Sequence, residues 1–101
     1  MHSLQEADEA SAAVQKTPHR VSLEHLEAEV DHCQYWRPPI SPEMTVCAMR
    51  LKNGFVLIGK SASADPENFD QELGRKFARD DALRQLWPIL GYVKKDELSK
   101  S

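Results

Sequence analysis

The chain has 101 residues, 41% of them hydrophobic and 29% charged, with a formal net charge of −3. That length and balance suit one soluble globular domain with its own core, and the negative charge argues against bulk attraction to nucleic acid or anionic membrane. No apolar run is long enough for a membrane span, no signal-peptide pattern is present, and two cysteines make neither a disulfide framework nor a zinc motif.

Residues 1–17 carry Glu6, Asp8 and Glu9 among small residues and show no apolar face. They read as a disordered tail ahead of one domain over residues 18–98, with a frayed end at 99–101. From Val21 to Trp36 the spacing of Leu23, Leu26, Val30 and Cys33 predicts a helix, capped by Ser22. Glu24, Glu27, Glu29 and Asp31 make its other side acidic. His25 and His32 lie seven apart, near one side of such a helix, but two histidines fall short of a stable metal site. Cys33 and Cys47 read as buried structural thiols, with a single disulfide left open.

Tyr35, Trp36 and Arg37 precede a connector containing Pro38, Pro39 and Pro42. Such a segment is semi-rigid and extended. The two aromatics are expected to form a lid on the core; beside Arg37, they also offer a place to stack a planar base.

Thr45–Gly59 reads as a β-hairpin, because Asn53-Gly54 sits between two apolar runs and suits a two-residue type I′ turn. That register pairs Lys52 with Phe55, Leu51 with Val56 and Met49 with Ile58. It puts Cys47, Met49, Leu51, Val56 and Ile58 on the core face. Val46, Ala48, Phe55 and Leu57, interrupted by Arg50, form a second face too apolar to stand freely in water. Another part of the chain or another copy is expected to cover it.

Lys60–Ala64 is built of small residues and hydroxyls, yet Asp65, Glu67 and Asp70 fill the following helix start with negative charge and leave no phosphate loop. Asp65-Pro66 opens a long amphipathic helix carrying Phe69, Leu73, Phe77, Leu83, Leu86 and Trp87 on one face. Gly74, costly within a helix, marks close approach of another backbone. Arg75 and Arg79, one turn apart, lie on a charged face suited to an acidic partner. Pro88 is expected to stop the helix, and Ile89–Val93 to turn back as a short third strand. The fold class is therefore α+β, with an N-terminal helix, a central antiparallel hairpin and a long C-terminal helix.

These segments resemble a known family. Thr45-Val-Cys, Leu51-Lys-Asn-Gly-Phe, Gly59-x-Ser-Ala, Asp65-Pro-x-Asn-Phe-Asp, Gly74-Arg-Lys, Ala78-Arg-x-Asp-Ala and Trp87-Pro-x-x-Gly-Tyr follow in its order. It is the small tailed-phage and prophage family named after gene product 49 of coliphage N-four and gene 66 of Shigella phage Sf-six. The resemblance covers about residues 17–98. Ser63 and Ala64 stand where members often read Cys and Val, and Lys60 and Leu90 where members tend to carry acids. The resemblance implies a phage or prophage gene product acting in the bacterial cytoplasm, and carries over no functional residue.

No spacing makes a paired-carboxylate site, a triad or a metal cage, so no enzyme and no cofactor is expected. The first reading is an accessory protein that binds a host component and self-associates into a homo-oligomer. The alternative is a nucleotide-binding counter-defence protein, and the third is nucleic-acid binding through Lys52, Arg75 and Arg79. The candidate binding surface is Tyr35, Trp36, Arg37, Lys60, Arg75 and Arg79.

Overall fold

The computed structural model describes residues 3–101. Their elements are α1 (Leu4–Ala13), α2 (Leu23–Glu29), β1 (Val30–Trp36), β2 (Met44–Leu51), β3 (Val56–Ala62), one 3-10 turn (Pro66–Asn68) and α3 (Gln71–Ser99). The strands form an antiparallel sheet in the order β1-β2-β3. The α+β class holds, with the third strand in a different place from the one expected.

That strand is the second half of the expected first helix. Apolar spacing over Val30 and Cys33 fits a helix, but from Val30 onward it fits a strand equally well. Cys33 and Tyr35 then alternate with His32, Gln34 and Trp36. The free edge of β2 decides between them, since it offers a row of backbone partners. Val30 pairs with Leu51 and Trp36 with Val46, with a register shift between Val30 and His32. His25 remains on α2 while His32 moves to the sheet, so the two histidines do not share a helix side.

The hairpin turn also departs from expectation. Arg50 pairs with Val56, Met49 with Leu57 and Cys47 with Gly59. Gly54 N–H donates to the Leu51 carbonyl at 2.9 Å, and Leu51 N–H to the Phe55 carbonyl at 2.8 Å. Gly54, at φ 91°, is the one residue with positive φ among those described, so a type I′ turn is absent. The loop is a three-residue turn ending in a left-handed glycine, and the Asn53 side chain accepts the Phe55 N–H at 3.0 Å. One residue of slip inverts β3. Leu57 is buried with Cys47, Met49 and Leu51, while Val56 and Ile58 are 51% and 55% exposed.

Among the described residues, helices cover only one sheet face. Ala78, Ala82, Leu83 and Leu86 of α3 and Leu26 of α2 are fully buried with the inward residues of β2. Gly59 makes the closest seam. A Cβ there would lie 2.1 Å from the Ala78 carbonyl oxygen and 2.6 Å from the Ala82 nitrogen. Crossing at that distance, α3 also reaches the edge of β3. Asp81 Oδ2 accepts the Lys60 N–H at 2.9 Å, and Gln85 Nε2 donates to the Ile58 carbonyl at 2.7 Å. Those bonds blunt a strand edge that is otherwise open to pairing.

α3 runs 29 residues, about 44 Å at 1.5 Å per residue, and sets the long axis of a molecule extending 51 × 30 × 16 Å. It passes through Pro88. A proline inside a helix costs about 3 kcal/mol, and packing on both sides offsets it. Leu86 is fully buried, Leu90 packs on the core, and the Trp87 indole N–H donates to the Val21 carbonyl at 2.9 Å. The expected strand over Ile89–Val93 is therefore helix.

The expected disordered tail contains α1; residues 1 and 2 lie outside the described chain. Ser3 caps the helix by accepting the Glu6 N–H at 3.0 Å, and Ser-x-x-Glu is a capping-box spacing. Leu4 is buried in the core. Asp8 Oδ1 accepts from Arg20 Nη1 at 2.7 Å and from the Leu23 N–H, at the start of α2, at 2.9 Å. The Arg20 hydrogen bond, then the Leu23 N–H, hold the Asp8 carboxyl below the usual range. Its stabilising contribution is thus present above the unfolded carboxylate pKa and fades as pH falls through the lower folded value.

Two glycines test the seam. Gly59→Ala should cost about 3 kcal/mol, because backbone atoms block the new methyl. Gly91→Ala, with nothing within 4 Å of its Cβ position, should gain about 0.5–1 kcal/mol from helix propensity and lost unfolded-state entropy. Denaturant melts of the two variants measure both.

Candidate binding site

Three chain segments converge at one end of the sheet. β1 contributes Tyr35 on its inward face, followed by Trp36 and Arg37; β2 contributes Thr45; the first turns of α3 contribute Gln71 and Arg75. Together they line a cavity of about 200 Å³. Asp70 starts α3 by accepting the Leu73 N–H at 2.9 Å, which fixes the first turn and with it the direction of Gln71 and Arg75.

Each arginine is held by neutral groups. The Arg37 guanidinium carbon lies 3.9 Å from the Phe69 ring centroid, and its Nε donates to the Pro42 carbonyl at 2.8 Å. Arg75 lies 5.4 Å from the Tyr35 ring centroid. Thr45 is 2% exposed, and its hydroxyl has no hydrogen-bond partner among the described residues. It lies against Gly74, where a Cβ would come within 2.6 Å of Thr45 Oγ1. The close approach expected at Gly74 is therefore real, and its partner is a hairpin side chain.

Of the six residues singled out from sequence, Tyr35, Trp36, Arg37 and Arg75 meet at this cavity. Lys60 and Arg79 do not. Lys60 lies at the far edge of β3, beside a larger cavity of about 550 Å³ with Lys76, Asp80 and Asp81 in its wall. Arg79 is clamped by Glu27 through two bonds of 2.9 and 2.6 Å. The Arg79 hydrogen bond holds the Glu27 carboxyl below its usual range, while that same bond raises the Arg79 pKa. It ties α2 to α3 and is not available to grip an acidic partner. Sequence reading missed Thr45 and Gln71. A hydroxyl at the inward position of β2, in line with Cys47, Met49 and Leu51, was the available signal.

Behind Tyr35 lie Cys33 and Cys47, both free thiols. Tyr35 pairs across the sheet with Cys47, and Cys33 with Met49. Burial, and then the neighbouring Cys47 and Cys33, push Tyr35 up to about 12. Burial, and then Cys33, push the Cys47 thiol up to about 12. At neutral pH the phenol and the Cys47 thiol stay protonated, and the arginines stay charged. The cavity wall holds no carboxylate or imidazole. Its charged groups are the guanidinium groups of Arg37 and Arg75.

A model of the Phage protein (N4 Gp49/phage Sf6 gene 66) family matches residues 21–98. The chain belongs to this family. The match in this phage protein runs from the start of α2 through the whole sheet to the last turns of α3, and takes in every residue of the cavity. It leaves α1 outside. No curated protein and no solved structure matches the chain. Among the described residues, no helix is long and apolar enough to cross a membrane.

The raised Tyr35 pKa has a direct consequence. A group raised in the folded state stabilises fully below its unfolded value, near 10, and that contribution is lost as pH rises through about 12. The tyrosinate absorbance of wild type minus Tyr35→Phe should therefore rise with a midpoint near 12, and a midpoint near 10 would show an exposed phenol. Native protein at pH 8 should also leave Cys47 unalkylated by iodoacetamide, whereas denatured protein should react.

Proposed function

We propose that this phage protein acts in the bacterial cytoplasm by binding a host component through the open face of its sheet. One observation carries this reading. Trp36, Val46, Ala48 and Ile58 all point to the face away from α2 and α3, with Trp36 61% exposed. Phe55, also more than half exposed, flanks this face at the hairpin end. An antiparallel sheet that faces water is usually polar on that side, and an apolar patch of this kind marks a contact surface. The Arg50–Asp31 ion pair, at 2.8 Å, supplies a polar border at one end.

Self-association is the competing use of the same face, since a second copy laid upon it would make the expected homo-oligomer. Nucleotide binding as a counter-defence activity is a second reading, favoured by the meeting of Tyr35, Trp36, Arg37 and Arg75 at one cavity. Direct nucleic-acid binding loses support, because Arg79 is held by Glu27 and the net charge is −3.

Native mass spectrometry of the tagged protein taken from bacterial lysate tests the reading, run beside Ile58→Glu. A host protein carried by wild type and lost from Ile58→Glu is the expected result. A bare multimer that Ile58→Glu dissociates would reassign the face to self-association. A bare monomer in both samples would defeat the proposal.

A further inference from the structure

The acidic groups are distributed unevenly over the arginines. The chain has six arginines and a net charge of −3, so carboxylates outnumber the cations they might pair. Arg20 is held by Asp8, Arg50 by Asp31 and Arg79 by Glu27. Arg37 and Arg75 have no carboxylate partner among the described residues, and both face the same 200 Å³ cavity. Two guanidinium groups directed at one space repel each other unless an anion lies between them. Neutral contacts fix them there instead. Phe69 and the Pro42 carbonyl hold Arg37, and the Tyr35 ring lies beside Arg75. Of the Arg37 donors, Nε is engaged by Pro42, which leaves the terminal Nη donors for a ligand. Neither Asp70, which starts α3, nor Glu72 in its first turn is part of the cavity wall.

From this arrangement we infer that the cavity is a binding site for one phosphate group, gripped between Arg37 and Arg75. Charge selects phosphate over carboxylate. Two unpaired guanidinium groups match the −1.5 to −2 charge of a phosphate monoester near pH 7 (about two elementary charges) better than a single negative charge. Volume limits what is enclosed. Pockets that engulf a drug-sized ligand hold roughly 300–1,000 Å³, so 200 Å³ takes the phosphate and leaves the attached group outside. Trp36, exposed at the rim, offers that group a flat apolar surface. The site stands apart from the open-face reading, because Arg37 and Arg75 approach from the connector and α3, and the Ile58 variant leaves both in place.

Isothermal titration of the full chain at low salt, with inorganic phosphate and separately with adenosine monophosphate, tests this. Both should bind saturably, and Arg37→Gln and Arg75→Gln should each weaken binding about tenfold or more. Lys52→Gln, in the distant hairpin turn, should leave binding unchanged, and Arg75→Lys should retain part of it and guard against a folding defect. Tighter binding of the nucleotide would place its base on Trp36; equal affinities would mean that the phosphate alone is recognised. Absence of saturation with both probes, or equal weakening by Lys52→Gln, would overturn the assignment.

Discussion

The contact between Gly59 and the backbone of α3 is the constraint on which the remaining geometry depends. Only a residue without a Cβ lets the Ala78 carbonyl and the Ala82 nitrogen lie against the strand. With the helix seated so close, Asp81 and Gln85 come within bonding reach of the β3 edge. Gly74 meets Thr45 one end further along, Arg75 arrives beside Tyr35, and Arg79 reaches Glu27. A helix held a few ångströms higher would lose all of these together. Small residues at this seam thus exchange hydrophobic area for precise placement of polar side chains.

The molecule has two layers, and its two sheet faces meet different surroundings. Inward residues lie under α2 and α3, with Cys47 and Met49 fully buried. Outward residues carry no second layer among the described residues, and yet Trp36, Val46, Ala48 and Ile58 are apolar. Burying such side chains against a partner is favourable by roughly 25 cal/mol per Å² of apolar area, before the costs of association. The cavity of Arg37 and Arg75 lies at one end of the sheet and is of a different character, with fixed charge in place of apolar area. Trp36 borders both, so occupants of the two surfaces would meet at its ring.

Two strands take a form that local sequence leaves open. The hairpin was legible because Asn53-Gly54 can hardly be anything but a turn, yet its loop length was not. Two- and three-residue loops both use that pair, and they differ by one residue of register. That single residue sends Leu57 inward and Val56 and Ile58 outward. β1 was misread for a related reason. Leu23, Leu26, Val30 and Cys33 satisfy a helical repeat, but the strand repeat begins inside the same segment, and only a pairing edge on β2 selects it. Pro88 shows the converse case, in which packing of Leu86, Trp87 and Leu90 overrides a local stop signal.

Local chemistry was enough to establish the α+β class, the turn at Asn53-Gly54, the caps at Ser22 and Asp65, the close approach at Gly74, and four of the residues now found together at the cavity. Those features depend on neighbours within a few positions of the chain, where side-chain type controls backbone conformation directly. The long helix expected to open at Asp65 begins later, because Asp65 caps only the 3-10 turn Pro66–Asn68, Phe69 is extended, and Asp70 starts α3. Tertiary structure alone decided the hairpin register, the strand identity of Val30–Trp36, the docking of α1, and the meeting of Arg37 and Arg75 at one cavity with no carboxylate partner among the described residues. Each of these is a choice between local alternatives of nearly equal energy. Contacts between distant segments settle such choices, and no short stretch of sequence contains them.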